Sequence, residues 1–157
     1  MDDIPAIEES AVVTAAEYRV LLASVGWQAF PADDETLTAA LAKTWNLTAR
    51  APDGRLVGLA RVLDDGLIYA SIWDVIVAAD WQRRGVARTL MARVMARLAG
   101  RRLVALVATP AGDALYRSLG FAETSNGSRA LFIRSPVPPP APADLADDHG
   151  PDKRSFG

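Results

Sequence analysis

Asp74-Val75-Ile76-Val77 and Gln82-Arg83-Arg84-Gly85-Val86-Ala87, five residues further on, form the stretch that decides the fold of this chain. The first segment is typical of a buried strand, and the second leads into a predicted helix with an apolar stripe. The stripe consists of Leu90, Met91, Val94, Met95 and Leu98. Gly85 permits backbone conformations that a Cβ disfavours, and the small Ala87 lets a ligand approach the main chain. Convergent N–H groups and the positive end of the helix predict that residues 82–88 bind phosphate, and we call them the phosphate loop.

Positive charge is concentrated beside this loop. Residues 83–102 contain seven arginines and no acidic residue, although the whole chain has 17 basic and 19 acidic residues. Arg83, Arg84 and Arg88 fall at the predicted helix N-terminus, where the dipole disfavours positive charge unless an anion is bound. We therefore expect these three side chains to contact a ligand, and most of the other four arginines to form a solvated helix face.

The phosphate loop resembles the Q/R-x-x-G-x-G/A acyl-CoA pyrophosphate loop of the GNAT N-acetyltransferase superfamily. A second motif, Ala114-Leu115-Tyr116-Arg117-Ser118-Leu119-Gly120-Phe121, resembles the FYxxxGF segment near the end of that domain. The resemblance covers roughly residues 10–134, and Ser24-Val25-Gly26-Trp27 and Asp74-Val75 are similar to a branch of small bacterial members. It implies a GNAT fold, acetyl-CoA as co-substrate, and direct acetyl transfer to an amine.

Composition limits the available chemistry. A chain of 157 residues that is 50% hydrophobic and 23% charged is typical of one soluble domain. No apolar run approaches the ~20 residues of a membrane span, and the acidic start argues against a leader peptide, so we expect a cytoplasmic protein without a membrane partner. The absence of cysteine excludes thiol nucleophiles, disulfides and thiolate zinc sites, and the only histidine, His149, lies in a polar tail. We expect no metal, and catalysis by Tyr, Asp/Glu, Arg/Lys or backbone groups.

The sequence before the phosphate loop predicts two helices and a meander. Thr14 and Glu17 form a capping box for a helix that should stop at Gly26, and a second helix should begin after Asp33 or Asp34. Three strand-like segments follow, separated by turn signals. They cover Trp45–Arg50, residues 56–63 and residues 67–77.

The sequence after the phosphate loop predicts the rest of the sheet. Residues 103–108 read as a buried strand, and Asp113 should cap a short helix ending at Gly120. Residues 121–124 and 130–134 should close the sheet as a hairpin. The predicted fold class is therefore α/β, with a mixed, mostly antiparallel sheet, one parallel βαβ crossover and about four flanking helices.

Three regions follow from these predictions. Residues 1–9 should be a flexible N-terminus, and residues 10–134 the acetyltransferase domain. Residues 135–157 hold six of the ten prolines and little apolar surface, so a disordered tail is expected there.

The resemblance also assigns roles to residues. Backbone N–H groups of the phosphate loop would hold the pyrophosphate, and the residues involved are Gln82, Arg83, Arg84, Gly85, Val86, Ala87 and Arg88. A backbone N–H near Ile76 or Val77 would contact the thioester oxygen, an interaction typically worth about 2.7–4 kcal/mol. Tyr116, the tyrosine of the second motif, would protonate the leaving CoA thiolate, because the pKa of a phenol, about 10, is close to that of a thiol. The alternative is that Tyr116 only packs in the core.

The sequence offers several candidates for the general base that deprotonates the amine. Asp74 is the first candidate because its carboxylate lies in an apolar run, where burial favours the neutral form. Alternatively, Asp74 is a structural acid satisfied by backbone N–H groups. Glu17 and Glu123 are weaker candidates, as a helix cap and a surface residue, and a chain of waters could replace a side-chain base.

The acceptor pocket has three aromatic candidates, Trp27, Tyr69 and Trp73, because apolar walls with polar tips suit small amines. Each could instead belong to the core. Arg117 stands where many similar proteins carry an acid, so their acceptor preference does not transfer.

These observations predict an acetyl-CoA-dependent N-acetyltransferase that acts on a primary amine, with a small molecule favoured over a protein. The alternative of another class is an inactive acyl-CoA-binding sensor or partner-binding module. A nucleic-acid patch at residues 83–102 is disfavoured by the pI near 5.4 and the lack of interleaved aromatic residues. The expected partners are acetyl-CoA and an amine, with no nucleic acid, and a homodimer stays open.

Overall fold

A computed structural model describes residues 5–28, 32–124 and 128–132. In this part of the chain the strands are β1 (Ala6–Glu9), β2 (Trp45–Arg50), β3 (Leu56–Asp64), β4 (Tyr69–Val77) and β5 (Leu103–Leu106). The helices are α1 (Ala15–Ser24), α2 (Asp34–Ala42), α3 (Val86–Arg97) and α4 (Asp113–Ser118), and a 3₁₀ turn spans Ala79–Trp81. The strands form one sheet in the order β1-β2-β3-β4-β5, antiparallel except for the parallel β4–β5 pair. This mixed sheet, with α3 as the crossover, confirms the predicted fold class.

The helices cover both faces of the sheet. An added Cβ at Gly58 would lie 2.9 Å from the Cβ of Ala49 and 3.1 Å from the Cδ1 of Leu90, so glycine lets α3 approach β3 closely. Arg61, three residues along β3, points to the opposite face because side chains alternate along a strand. Its guanidinium lies 5.8 Å from the ring centre of Tyr18 on α1. Helices α1 and α3 therefore enclose the sheet between them.

Local capping signals set most of the helix starts. Thr14 and Glu17 form the predicted capping box at α1, and Asp33 caps α2. The predicted cap of α4 is wrong by one residue. Gly112 occupies the N-cap position, and the carboxylate of Asp113 instead pairs with a side chain one helical turn later. None of the helices in the described ranges is long and apolar enough to cross a membrane.

The N-terminal edge of the sheet was not predicted. The sequence suggested a flexible segment over residues 1–9, but Ala6–Glu9 forms β1 and pairs in antiparallel register with β2. The segment is mostly polar and carries no strong apolar alternation, so its pairing depends on backbone hydrogen bonds that any sequence can make. Residues 1–4 lie outside the described residues.

The C-terminal edge also differs from the prediction. Residues 121–124 and 130–132 form no strand, and a cavity of about 590 Å³ separates β5 from part of this region. Strand β5 is also two residues shorter than predicted and half exposed, so it offers a short edge for further pairing. Residues 125–127, the end of the predicted hairpin and the predicted tail lie outside the described residues.

A bulge bends β4 in its middle. Asp74 has a positive φ of 49°, and Asp74 and Val75 together oppose the single residue Ala60 of β3. Strand β5 pairs with β4 only from Tyr69 to Ile72, so the two strands separate where the bulge begins. This separation leaves an opening, called the β4–β5 gap below.

An ion pair connects the end of β3 to the residues just before β5. The guanidinium of Arg101 donates from Nε and Nη2 to the two carboxylate oxygens of Asp64, at 2.7 and 2.9 Å. Both side chains are largely buried, so Arg101 does not belong to the solvated face expected for it. This bidentate pair lowers the pKa of Asp64 to about 2.

Asp64→Asn is expected to destabilise the fold by about 2 kcal/mol, because it leaves Arg101 without its charged acceptor. For a domain of this size that corresponds to a fall in Tm of about 4–8 °C, measured by thermal unfolding at pH 7. Because folding lowers the pKa of Asp64, the stabilisation should be complete above about pH 4 and be lost as the pH falls towards 2. The variant should lack that part of the pH dependence.

Asp80→Asn is the matched control. Asp80 also pairs with an arginine, Arg55, at 2.6 Å, but both side chains are about half exposed. Exposed ion pairs contribute about 0–1 kcal/mol, so this variant should unfold close to the wild-type temperature. Equal losses in the two variants would contradict the stabilising role of the Asp64–Arg101 pair.

Candidate active site

The β4–β5 gap contains a cavity of about 150 Å³. Residues from β4, from the segment after β5, from α4 and from the end of α1 line it, among them Trp27, Trp73, Asp74, Val107 and Tyr116. The bulge and the divergence of the strands therefore bring together the predicted catalytic residues Asp74 and Tyr116 with two of the three predicted pocket residues.

The end of β4 presents to its open side a backbone edge that pairs with no strand of the described chain. Ala78 donates its N–H to Val57 on β3, at 2.8 Å. Because successive residues of a strand point their N–H and C=O groups to opposite sides, Ile76 faces β3 and Val77 faces away from it. The side-chain amide of Gln82 donates to the C=O of Val77 at 3.1 Å, which agrees with that orientation. Of the two predicted residues, Val77 thus has the available N–H, and Ile76 has its backbone engaged with β3.

The phosphate loop has the backbone geometry of an anion site. Arg83 and Gly85 have positive φ values of 62° and 83°, and helix α3 begins directly afterwards at Val86. No side chain caps this helix and its first turn has no acidic residue, so its first N–H groups lack a partner from the described chain. An added Cβ at Gly85 would meet open space, so the positive φ, and not crowding, favours glycine here.

The three loop arginines differ in their surroundings. The guanidinium of Arg84 lies 5.0 Å from the ring centre of Trp81, so its position is partly set by a cation–π contact. Arg83 and Arg88 are exposed and form no ion pair or side-chain hydrogen bond within the described residues. On the far side of α3, Arg97 stacks on Trp45 at 4.4 Å and thus also has a packing role.

Packing against its neighbours fixes the side chain of Tyr116. The side chain is 9% exposed, its ring meets Phe121 edge-on at 6.2 Å, and Gly112 lies so close that an added Cβ would come within 2.7 Å of the ring. The hydroxyl has no hydrogen-bond partner in the part of the chain that the structure describes. Burial raises the pKa of Tyr116 above its ordinary value of 10, so the phenol keeps its proton.

Asp74 is an ion-paired carboxylate and not a solitary acid in an apolar run. Its Oδ2 accepts hydrogen bonds from the Tyr18 hydroxyl at 2.9 Å and from Arg61 Nη1 at 2.6 Å. These side chains, and not backbone N–H groups, satisfy the carboxylate. Burial and the negative charge of Asp74 raise the pKa of Tyr18 to about 12. Arg61 is also fixed by Thr44, whose hydroxyl accepts from Nε at 3.3 Å.

The two weaker base candidates have structural roles. Glu17 completes the capping box and pairs with Arg50 at 2.6 Å. Burial alone would raise the pKa of Glu17, but hydrogen bonds from Arg50 and Thr14 outweigh it and lower the pKa. Glu123 is exposed and accepts a hydrogen bond from Arg117 at 3.1 Å. Neither residue lines the β4–β5 gap.

Two of the three predicted pocket residues reach the gap, and the third does not. Trp27 follows a helix C-cap in which the N–H groups of Gly26 and Trp27 bond back to Ala23 and Leu22, the pattern of a Schellman motif. Trp73 donates its indole N–H to the hydroxyl of Ser71 at 2.8 Å. Tyr69 is the first residue of β4, pairs with Leu103 of β5, and does not line the cavity.

Sequence reasoning missed Tyr18 and Arg61, which hold the carboxylate of Asp74. Tyr18 is 56 positions away in the chain, so no local pattern connects it to Asp74. A charged residue in the apolar segment of β3 was the one available signal, because a buried arginine needs a carboxylate partner. In the described ranges no group of three or more His, Cys, Asp or Glu side chains could hold a metal ion, and His149 lies outside them.

Comparison with known proteins agrees with this geometry. The family model for the GNAT acetyltransferase domain matches residues 43–123. A rice protein named serotonin N-acetyltransferase 2, chloroplastic, is 38% identical over 91 residues, which are 56% of this chain and 46% of the rice protein. An uncharacterised ycf52-like N-acetyltransferase of Prochlorococcus marinus is 34% identical over 122 residues, or 74% of this chain and 67% of that protein.

The solved structures agree as well. A GNAT family protein from Streptococcus pneumoniae superposes with a TM-score of 0.68 and 27% identity, covering 82% of this chain and 97% of that one. The chain therefore belongs to the GNAT acetyltransferase family. It spans about half the length of the rice protein and two thirds of that of the cyanobacterial protein.

Proposed function

We propose that this protein is an acetyl-CoA-dependent N-acetyltransferase that transfers the acetyl group directly to a primary amine. One observation carries the proposal: the phenol of Tyr116 and the carboxylate of Asp74 line the same gap, which opens beside the part of β4 that pairs with no further strand among the described residues. The chain has no cysteine, so a cysteinyl acyl-enzyme is excluded, which fits direct transfer.

The phosphate loop fits the diphosphate of acetyl-CoA. Uncapped N–H groups at the start of α3, the two positive φ angles and the absence of an acid in the first turn all favour an anion. Exposed Arg83 and Arg88 add positive charge and have no ion-pair partner among the residues that the structure describes. Bound acetyl-CoA would supply the activated acetyl group as a thioester, and the loop would direct its thioester end towards the gap.

Backbone and side-chain groups of the gap would then share the reaction. The N–H of Val77 is suited to donate to the thioester oxygen as negative charge develops there. The amine nitrogen forms the new C–N bond as the C–S bond breaks, and Tyr116 donates its proton to the departing sulfur. The ammonium first loses one proton to solvent, so that its nitrogen attacks in the neutral form. The proton that the nitrogen loses after the C–N bond has formed passes through water to the Tyr116 phenolate, and Asp74, already paired with Arg61, holds the ammonium before the reaction.

The dimensions of the gap favour a small acceptor. A cavity of about 150 Å³ admits a small amine with a body no larger than a single aromatic ring and its linker, and Trp27 and Trp73 line it. A protein acceptor would have to insert a single lysine or amino terminus between them. An inactive acyl-CoA-binding module remains the alternative, and the position of the Tyr116 hydroxyl in the gap, without a hydrogen-bond partner among the described residues, favours the enzyme.

The proposed activity is tested by following CoA release. Purified protein should release CoA from acetyl-CoA only when a primary amine is present, and mass spectrometry should find the acetyl group on the amine. Binding of acetyl-CoA without release by any amine of a broad panel would favour the sensor. Release that does not depend on the amine would contradict direct transfer.

A further inference from the structure

The described residues that line the β4–β5 gap carry negative charge and no positive charge. Asp74 is a lining residue, and no Lys or Arg is among the described residues that line the cavity. The nearby cation Arg61 is not a lining residue, and it donates to Oδ2 of Asp74 and to Thr44. Oδ1 of Asp74 accepts no hydrogen bond within the described part of the chain. Among the described lining residues, the gap therefore offers the Asp74 carboxylate to a positive group and no cation to a negative group.

Most of the residues that line the gap are aromatic or aliphatic, and the polar exceptions are Asp74 and Thr109. Trp27 and Trp73 are 42% and 44% exposed, so solvent reaches them and a ligand could contact them. Their positions are set by the chain itself, through the Schellman motif before Trp27 and the hydrogen bond from Trp73 to Ser71. Val107 adds an aliphatic side chain to the lining. Indole rings in fixed positions suit both an apolar group and an ammonium.

We infer that the acceptor is a small monoamine with an apolar or aromatic body and no anionic group. The ammonium would bind Oδ1 of Asp74, and the body would pack against Trp27 and Trp73. A carboxylate or phosphate on the acceptor would lie beside Asp74 without a cation, an arrangement that disfavours binding strongly. This inference rests on the proposed acetyl transfer and narrows its substrate class.

Phenethylamine and phenylalanine test the inference, because they differ only in the α-carboxylate. The expected result is a kcat/KM for phenethylamine at least about 100-fold above that for phenylalanine. Ethylamine, which lacks the ring, should be at least about 10-fold poorer than phenethylamine. Equal or better use of phenylalanine or of an amino sugar phosphate would overturn the inference while leaving the acetyltransferase activity intact.

Two variants assign the effects to residues. Trp73→Ala should lower kcat/KM for phenethylamine about 10-fold or more without changing the KM for acetyl-CoA. Tyr69→Ala is the matched control, since Tyr69 is an exposed aromatic residue on the same strand outside the cavity, and it should have no effect. Asp74→Asn should reduce the preference for phenethylamine over phenylalanine. Equal effects of Trp73→Ala and Tyr69→Ala would contradict the assigned pocket.

A binding experiment separates this inference from the proposed activity. Calorimetric titration of both amines into protein saturated with CoA needs no turnover. Preferential binding of phenethylamine would support the substrate class even if no acetylation occurred, whereas preferential binding of phenylalanine would overturn it. Failure of CoA release with every amine would count against the proposed activity alone.

Discussion

Tyr116→Phe is expected to lower kcat by about 100- to 10,000-fold, the usual contribution of a positioned general acid, while leaving the affinity for acetyl-CoA unchanged. The substitution removes only the hydroxyl, which forms no hydrogen bond in the described structure. The ring contacts with Phe121 and Gly112 remain, so the fold should be unaffected. Steady-state kinetics and calorimetric binding of acetyl-CoA give the two quantities.

The pH dependence adds an independent check on Tyr116. Burial raises its pKa above 10, so the phenol stays protonated across the neutral and mildly alkaline range. The wild-type kcat should therefore not fall between pH 7 and about 10 through deprotonation of Tyr116. Tyr69→Phe, on an exposed tyrosine outside the gap, is the control and should retain full activity. An unchanged kcat in Tyr116→Phe would remove the catalytic role and leave Tyr116 as a packing residue.

The second large effect is expected from Gly85→Asp, which should weaken acetyl-CoA binding by about 100-fold or more. Aspartate is among the residues that tolerate the positive φ of 83°, and its Cβ would meet open space, so the chain should still fold. Its carboxylate, however, would face the N–H groups that are to bind the diphosphate. It would cap α3 and repel the ligand. The KM for acetyl-CoA measures the loss.

Two glycine variants separate charge from backbone strain. Gly85→Ala introduces the strain without the charge and should weaken binding only modestly. Gly100→Asp introduces the same charge at a glycine of similar φ, 88°, beyond the other end of α3, and should bind acetyl-CoA as the wild type does. Equal losses in Gly85→Asp and Gly100→Asp would show that general destabilisation, and not the phosphate loop, is responsible.

Periodicity and capping rules were sufficient for the central part of the fold. Strand Trp45–Arg50, the capping box at Thr14 and the crossover helix after Gly85 were all predicted because each depends on local sequence. The two edges of the sheet were mispredicted. Strand β1 is mostly polar and exists because it pairs with β2, while the predicted C-terminal strands had local propensity but do not pair with β5 in the described residues. Tertiary pairing decides strand formation at an edge.

The candidate site shows the same division between local and long-range information. The phosphate loop and Tyr116 lie in contiguous motifs, so their place in the chain was readable. The partners of Asp74 were not, because Tyr18 and Arg61 come from different elements and meet the carboxylate only in the folded chain. The bulge that separates β4 from β5 also lacks a sequence signal, since its positive φ belongs to an aspartate and not to a glycine.

Calorimetric titration of the intact protein with acetyl-CoA tests the central claim most directly. Saturable binding at one site, in the micromolar to millimolar range that is usual for such co-substrates, is the expected result, and Gly85→Asp should abolish it under the same conditions. Absence of binding by the intact protein would contradict the assignment of the phosphate loop, and so would binding that Gly85→Asp leaves unchanged.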